Sequence, residues 1–303
     1  ERINLHTVSR SQFLSHHFLV CCFSVCFNMA LVFSTRNATP QTYRTFIDAL
    51  RLRLTAGRPT SHGIPVLPRK EDVPNAQRFL LVDLTNSENN TITVAIDVVN
   101  AYVVGYAAGG RSYFLAENAP DDRPPIQVLF PGTTRVPTLR FNGTYSGLSR
   151  GAEEAVRRRR AGNRDPNIDE KTPVLEQIFL GRNQLDEAIR LLRAAASQPE
   201  QAVGFVVIIQ MLSEAARFRQ IEGLVRTTMK EEYDPLKRGL SLASLETNWS
   251  DLSEQIQRVP ANQTRFERAI TVHNISNARV EINSVESPFV QGVAMLLYDR
   301  NRN

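Results

Sequence analysis

Lysine is scarce in this 303-residue chain: of 36 basic residues only Lys70, Lys171, Lys230 and Lys237 are lysines, and the others are arginines. Two readings fit that bias, a GC-rich gene or a need to limit ubiquitination. Cysteine is scarcer still. Cys21, Cys22 and Cys26 all fall among the first thirty residues, so nothing beyond them can build a disulfide framework or a cysteine metal site. The five histidines are scattered without metal-ligand spacing, so neither a metal nor a cofactor is expected. Long apolar runs are few. The one at 202–212 is too short to cross a bilayer, and stable membrane insertion is not expected. No internal repeat is visible.

The other apolar stretch, "FLSHHFLVCCFSVCFNMALVF" at 13–33, is broken by His16 and His17 and looks more like a secretory h-region than a span. A translated leader or a gene-model artefact is the alternative reading. The first residue, Glu1 rather than Met, points to a fragment or a mis-assigned start. Residues 1–32 are therefore set apart from the fold.

What remains is globular in composition. A hydrophobic share of 42% and a charged share of 22% suit one large domain or two modest ones. The net charge of +5 and the pI near 9.3 fit a polyanionic partner, and arginine forks suit phosphate and flat base faces. That charge is modest for the length and does not by itself identify nucleic acid.

Along the chain, "TYRTFIDALRLRL" (42–54) spaces Tyr43, Phe46, Ile47, Leu50 and Leu54 as the apolar stripe of a first helix. A proline-punctuated loop follows. "RFLLVDLT" (78–85), "TITVAIDVV" (91–99), "AYVVGYAA" (101–108) and "SYFLAE" (112–117) are rich in β-branched and aromatic residues, with turn residues between, and read as sheet. "TLRFNGTYSGL" (138–148) reads as a last strand and a glycine-bearing turn. After residue 150 the pattern becomes helical: a charged segment, a short helix, a break at Gly181, a second helix, the apolar helix through Glu214, and another helix at 242–257. The tail at 289–298 fits either a last strand or a short packed helix. Strands first and helices later indicate an α+β protein. The expected division is a mainly β lobe at 33–150, a mainly α lobe at 151–258 containing the buried helix, and a small C-terminal segment at 259–303 packed on the helical lobe.

Glu214 and Arg217 stand at the end of that apolar helix, "QAVGFVVIIQMLSEAAR". Residues three apart share a helix face, so the two can pair, with Gln210 one turn earlier on the same side. Desolvation roughly cancels the attraction of a buried ion pair, and an arbitrary E-x-x-R is most often a salt bridge at a helix end. Here the apolar run implies depth, and charges kept at depth mark functional sites.

"IIQMLSEAARF" resembles the active-site helix of the ribosome-inactivating proteins, the plant rRNA N-glycosylases. "YRTFIDALRLRLTAG", "HGIPVLP", "QRFLLVDLTN", "VAIDVVNAYVVGY" and "LETNWSDLSEQIQ" resemble that family's segments in the same order. The resemblance runs from about residue 33 to 298, with a divergent arginine-rich stretch near 150–172. It implies the family's α+β fold, an N-terminal mixed β-sheet followed by a mainly helical region with a buried active-site helix.

The resemblance also implies a reaction: hydrolysis of the base–ribose bond of one adenine in an exposed loop of large-subunit rRNA, which stops translation. Looped bases are gripped by aromatic faces and by hydrogen bonds to their edges. Tyr102 and Tyr145 match the family's two stacking tyrosines, and the backbone at Val103 and Gly143 matches the groups that read the adenine edge. Arg217 is placed to support the departing adenine, and Glu214 to stabilise the ribosyl cation and orient or activate water. Trp249 matches a buried active-site tryptophan, Glu246 a second carboxylate, and Asn100 a polar residue at the cleft mouth; Gln210 joins the substrate-binding group. Plain readings coexist: a sheet tyrosine at 102, a turn tyrosine at 145, a core tryptophan at 249. Where the family often has "LENSW" this chain has "LETNW", so Thr247 replaces an asparagine and one hydrogen bond is in doubt.

Weaker signals surround these. "VRRRRAGNR" (156–164) reads as an rRNA-contacting patch or a solvated loop, and the overlapping stretch "RRRRAGNRDPNIDEKTP" (157–173) also as a removable processing loop. Sequons at Asn37, Asn89, Asn142, Asn248, Asn262 and Asn274 suit a secreted chain; Asn142 and Asn248 lie beside site residues and are expected to be bare. The implied partners are large-subunit rRNA and ribosomal proteins. Two-chain family members join a lectin chain through a cysteine near the end of the catalytic chain. "LLYDRNRN" carries none, which favours a single-chain form or a truncated two-chain form with no covalent lectin link at this end. Secretory or vacuolar routing before action on cytosolic ribosomes is expected. The rival reading is a catalytically silent relative, a storage protein or a binder of adenine or RNA.

Overall fold

The structure is a computed structural model that describes residues 31–115, 129–136, 182–194, 198–229, 235–274, 276 and 278–301. The expectations for 138–148, for the charged segment and for the break at Gly181 lie outside these residues, as do Gly143 and Tyr145.

A six-stranded mixed sheet holds the N-terminal half together, in the order β1-β4-β5-β6-β7-β8. Its strands are β1 (Leu31–Ser34), β4 (Phe79–Thr85), β5 (Thr91–Asp97), β6 (Tyr102–Ala108), β7 (Arg111–Phe114) and β8 (Thr134–Arg135). The central pairs are antiparallel, while β1 runs parallel to β4 and β7 parallel to β8. The first strand opens at Leu31, so Leu31 and Val32, left in the leader by the sequence reading, pair with Val82 and Asp83. The sequence also runs the second and third long strands slightly too far: β5 ends at Asp97 and β6 begins at Tyr102. Between them Ala101 takes a φ of 58°, and its amide donates to the Asp97 carbonyl at 2.7 Å. A short hairpin, β2 (Thr60–Ser61) with β3 (Ile64–Pro65), lies outside this sheet.

The parallel pairing of β1 and β4 needs a crossover, which contains α1 (Pro40–Thr55). Thr39 and Thr42 form a reciprocal capping box and Pro40 opens the helix. Tyr43, Phe46, Ile47, Leu50 and Leu54 are buried as their spacing predicts, and each such side chain contributes about 1.5–3 kcal/mol by leaving water.

On the helical side, α2 (Arg182–Ala194) packs against α3 (Gln198–Ile208). A Cβ on Gly204 would lie 2.8 Å from Leu192 Cγ, so glycine permits the close approach. The carboxylate of Asp186 fastens α2 to the sheet by accepting from the Thr35 hydroxyl and, at 2.7 and 2.8 Å, from the Ser87 amide and hydroxyl. Tyr106 reaches from β6 to the Leu192 carbonyl at 2.7 Å, and burial pushes its phenol pKa well up, keeping it neutral.

The chain then continues through a π-helical segment (Ile209–Glu214) into α4 (Ala215–Arg217), α5 (Arg219–Met229) and α6 (Pro235–Arg258). The last begins well before the expected residue 242. A β9–β10 hairpin (Arg265–His273 with Arg279–Ser284), not foreseen from sequence, packs on α6. The tail resolves into α7 (Pro288–Gln291) and isolated bridges to Phe218 and Val66. No helix among the described residues is long and apolar enough to cross a membrane.

Candidate active site

The site is built where the buried helix ends. Phe205 through Ala216 are all buried, so the helix is packed on every side, its mostly apolar surface interrupted by Gln210, Ser213 and Glu214. Its regular pattern widens to π at Ile209–Glu214, a local rearrangement that recurs at functional sites. Carbonyls near such a segment and at a helix end need outside donors. Helix α1 supplies them. The Tyr43 hydroxyl donates to the Met211 carbonyl at 2.7 Å, and Arg51 donates to the carbonyls of Ala216 and Ala215 at 3.1 and 2.7 Å. Burial pushes the Arg51 pKa below its usual range, and the Glu222 carboxylate 3.9 Å away acts in the opposite sense. The C-terminal tail completes the grip. The Ala294 amide donates to the Arg217 carbonyl at 2.8 Å, and the Arg219 amide to the Gly292 carbonyl at 2.7 Å.

So held, Glu214 is fully buried and Arg217 is 6% exposed. Arg217 Nη1 donates to Glu214 Oε1 at 3.0 Å, the pairing that their three-residue spacing predicts. Nε and Nη2 both donate to the Asn100 carbonyl, at 3.2 and 2.6 Å. Three of the five N–H groups of the guanidinium are thus used among the described residues. Its Cζ lies 3.8 Å from the Trp249 ring centroid and 5.2 Å from that of Tyr102. Cation–π attraction in so dry a setting is worth about 2 kcal/mol. Trp249 is itself locked by its indole N–H, which donates to the Met295 carbonyl at 3.0 Å.

The structure thus brings Glu214, Arg217, Tyr102, Trp249 and Asn100 together. Gln210 and Glu246 form a buried pair nearby, with Gln210 Nε2 at 3.4 Å from Glu246 Oε2. Tyr145 and Gly143 lie outside the described residues. Two assignments gain detail. The Asn100 side chain caps the Tyr102 amide at 3.0 Å, and the group that meets Arg217 is its carbonyl. The Val103 amide donates to the hydroxyl of buried Ser213 at 3.2 Å. Ser213, Tyr43 and Arg51 were missed from sequence. The available signal was an arginine on the apolar stripe of α1, four residues after Ile47.

Beside Asn100 opens a cleft of about 480 Å³, lined by Arg69, Lys70, Arg78, Asp97, Tyr298 and Arg300 among others. Arg78 and Asp97 form a forked pair at 2.6 and 2.7 Å in its wall. Cations outnumber carboxylates here, so the mouth is electropositive. No cluster of histidine, cysteine, aspartate or glutamate fit to hold a metal occurs among the described residues.

Fold and site together define a class: an α+β protein with a buried acid–guanidinium pair walled by aromatic rings at the end of an apolar helix. The chain belongs to the ribosome-inactivating protein family, whose sequence model, described as "Ribosome inactivating protein", matches residues 38–257. Abrin-c of Abrus precatorius is 39% identical over 276 residues, covering 89% of this chain and 43% of abrin-c. The ribosome-inactivating protein bryodin II of Bryonia dioica is 37% identical, covering 88% of this chain and 86% of bryodin II. A solved structure of a non-toxic homologue of type II ribosome-inactivating proteins from Momordica charantia superposes with a TM-score of 0.75 at 31% identity, covering 89% of this chain and 99% of that one. The chain therefore spans less than half the length of abrin-c but most of bryodin II.

Proposed function

We propose that this chain is an rRNA N-glycosylase that hydrolyses the bond between adenine and ribose at one adenosine in a loop of large-subunit rRNA. The observation that carries the reading is the buried Glu214–Arg217 pair, 3.0 Å apart, with the guanidinium lying against the Trp249 ring. A flipped adenine stacks on Tyr102, with Tyr145 as the second face by family resemblance, at about 1–3 kcal/mol per aromatic contact. As the bond stretches, negative charge grows on the base and positive charge on the ribose. The two remaining N–H groups of Arg217 serve the first. The carboxylate of Glu214 serves the second and orients the attacking water. To read the adenine edge, the Val103 amide shares or exchanges its bond with Ser213. Gln210 and Glu246 hold the neighbouring wall. The basic cleft around Lys70 and Arg300 suits the phosphates flanking the flipped base.

The partners follow as part of the same proposal: the large-subunit rRNA, ribosomal proteins around its loop, and, in a two-chain form, a lectin chain. Secretory or vacuolar routing belongs to it as well. A second reading, a silent adenine or RNA binder, is kept because the fold also occurs in a homologue described as non-toxic.

Residues 31–303, incubated with eukaryotic ribosomes, should make the extracted large rRNA break at one position on treatment with acidic aniline. A chain carrying Glu214→Ala and Arg217→Ala should yield no fragment. A folded wild-type chain that yields none, yet binds adenine, transfers the case to the silent reading.

A further inference from the structure

Two of the sequons stand in opposite settings. Asn89 is exposed in the turn that joins β4 to β5, where its φ is 64°. The left-handed region is one that asparagine tolerates better than most residues. The turn is closed by its neighbours: the Asn86 amide donates to the Asn90 carbonyl at 2.9 Å, and Asn86 Oδ1 accepts from the Glu88 and Asn90 amides at 3.1 and 2.8 Å. None of these bonds uses the carboxamide of the exposed Asn89. Thr91, the third residue of this sequon, is exposed at the start of β5. Asn248 is half-buried inside α6, next to Trp249. Its carboxamide nitrogen donates to the Ser244 carbonyl at 2.6 Å and lies 3.5 Å from the Thr271 carbonyl of β9. A sugar on that nitrogen would enter the seam between α6 and β9.

We infer that Asn89 is an N-glycan attachment site and that Asn248 is not. In the reaction the Asn89 carboxamide nitrogen bonds to C1 of the first N-acetylglucosamine of a lipid-pyrophosphate oligosaccharide. The C1–O bond breaks, the pyrophosphate leaves with the electron pair, and the nitrogen gives up one proton. The fold accepts the product, because β4 and β5 are seven residues long and separate the turn from the Asp97–Asn100 end. At roughly 3.3 Å per residue that distance is about 20 Å. The glycan therefore leaves the Arg217 pocket open, and the inference stands apart from the reaction proposed there.

The test is translation of the full chain behind a supplied signal peptide, in a cell-free extract with endoplasmic-reticulum microsomes. The chain carries Glu214→Gln and Arg217→Gln so that the extract's ribosomes survive. Amidase treatment in heavy-oxygen water then marks each glycan-bearing asparagine for peptide mass mapping. The expected map is marked at position 89 and unmarked at 248. Asn89→Gln and Thr91→Ala each lose the mark at 89, and Thr91→Ser keeps it. An unmarked Asn89 in chains that protease protection shows to be inside the microsomes overturns the inference, and so does a mark at Asn248.

Discussion

At the scale of single residues the site is a set of charges that the fold holds dry. In the proposed reaction Glu214 acts on charge that develops only as the base–ribose bond breaks. Glu214→Gln should therefore lower kcat by about 10²–10³-fold with little change in KM, read as adenine release from ribosomes. Arg51 touches no substrate in this account. It holds the carbonyls of Ala215 and Ala216 while facing Glu222 at 3.9 Å. Arg51→Met leaves Glu222 buried with Arg226 still 3.9 Å away, and leaves two carbonyls without their donor; it should cost about 1–3 kcal/mol of unfolding free energy, measured by chemical denaturation. Arg51→Lys keeps the charge but not the two-carbonyl fork, and its loss should be smaller. The pairing was legible in the sequence because i, i+3 spacing on a mostly apolar helix gives the two charges a common face, while their chemical roles came from the family resemblance alone. Ser213 was not, because a serine in a helix gives no sign of which distant amide its hydroxyl will accept.

At the scale of elements, strength of periodicity decided what the sequence disclosed. Helix α1 and strands β4, β5 and β6 have unmixed patterns and were placed within a residue or two. The β9–β10 hairpin alternates in the structure, with Phe266, Ile270, Val272 and Ile282 buried. In sequence, Arg268 falls at the same parity as Phe266 and Ile270 and interrupts that alternation, which hides the strand. The π segment was invisible for another reason: the same residues would satisfy an α-helix locally, and their partners, such as the Tyr43 hydroxyl on the Met211 carbonyl, come from far away in the chain. Close packing inside the sheet can be tested directly. A Cβ on Gly105 of β6 would lie 2.4 Å from the Tyr113 carbonyl oxygen of β7, a backbone atom that cannot turn aside. Gly105→Ala should destabilise the chain by about 1–3 kcal/mol, visible as a lowered denaturation midpoint with an unchanged slope.

At the scale of the whole molecule the chain carries a net charge of +5, and a basic cleft adjoins the site. If rRNA phosphates lie in that cleft, association must release counterions. Reaction under kcat/KM conditions should then slow as salt rises, with a logarithmic slope of about −0.7 per single-strand phosphate neutralised. Lys70→Gln and Arg300→Gln should each flatten that slope without moving kcat. The central claim is that Glu214 and Arg217 act as one unit on one base. Its most direct measurement is the adenine released per ribosome, and its rate, for the wild type, Glu214→Gln, Arg217→Gln and the double variant. The wild type should release one adenine per ribosome, and the double variant should be scarcely slower than the worse of the two singles. Losses that simply add, or a folded wild-type chain that releases no adenine, would contradict it.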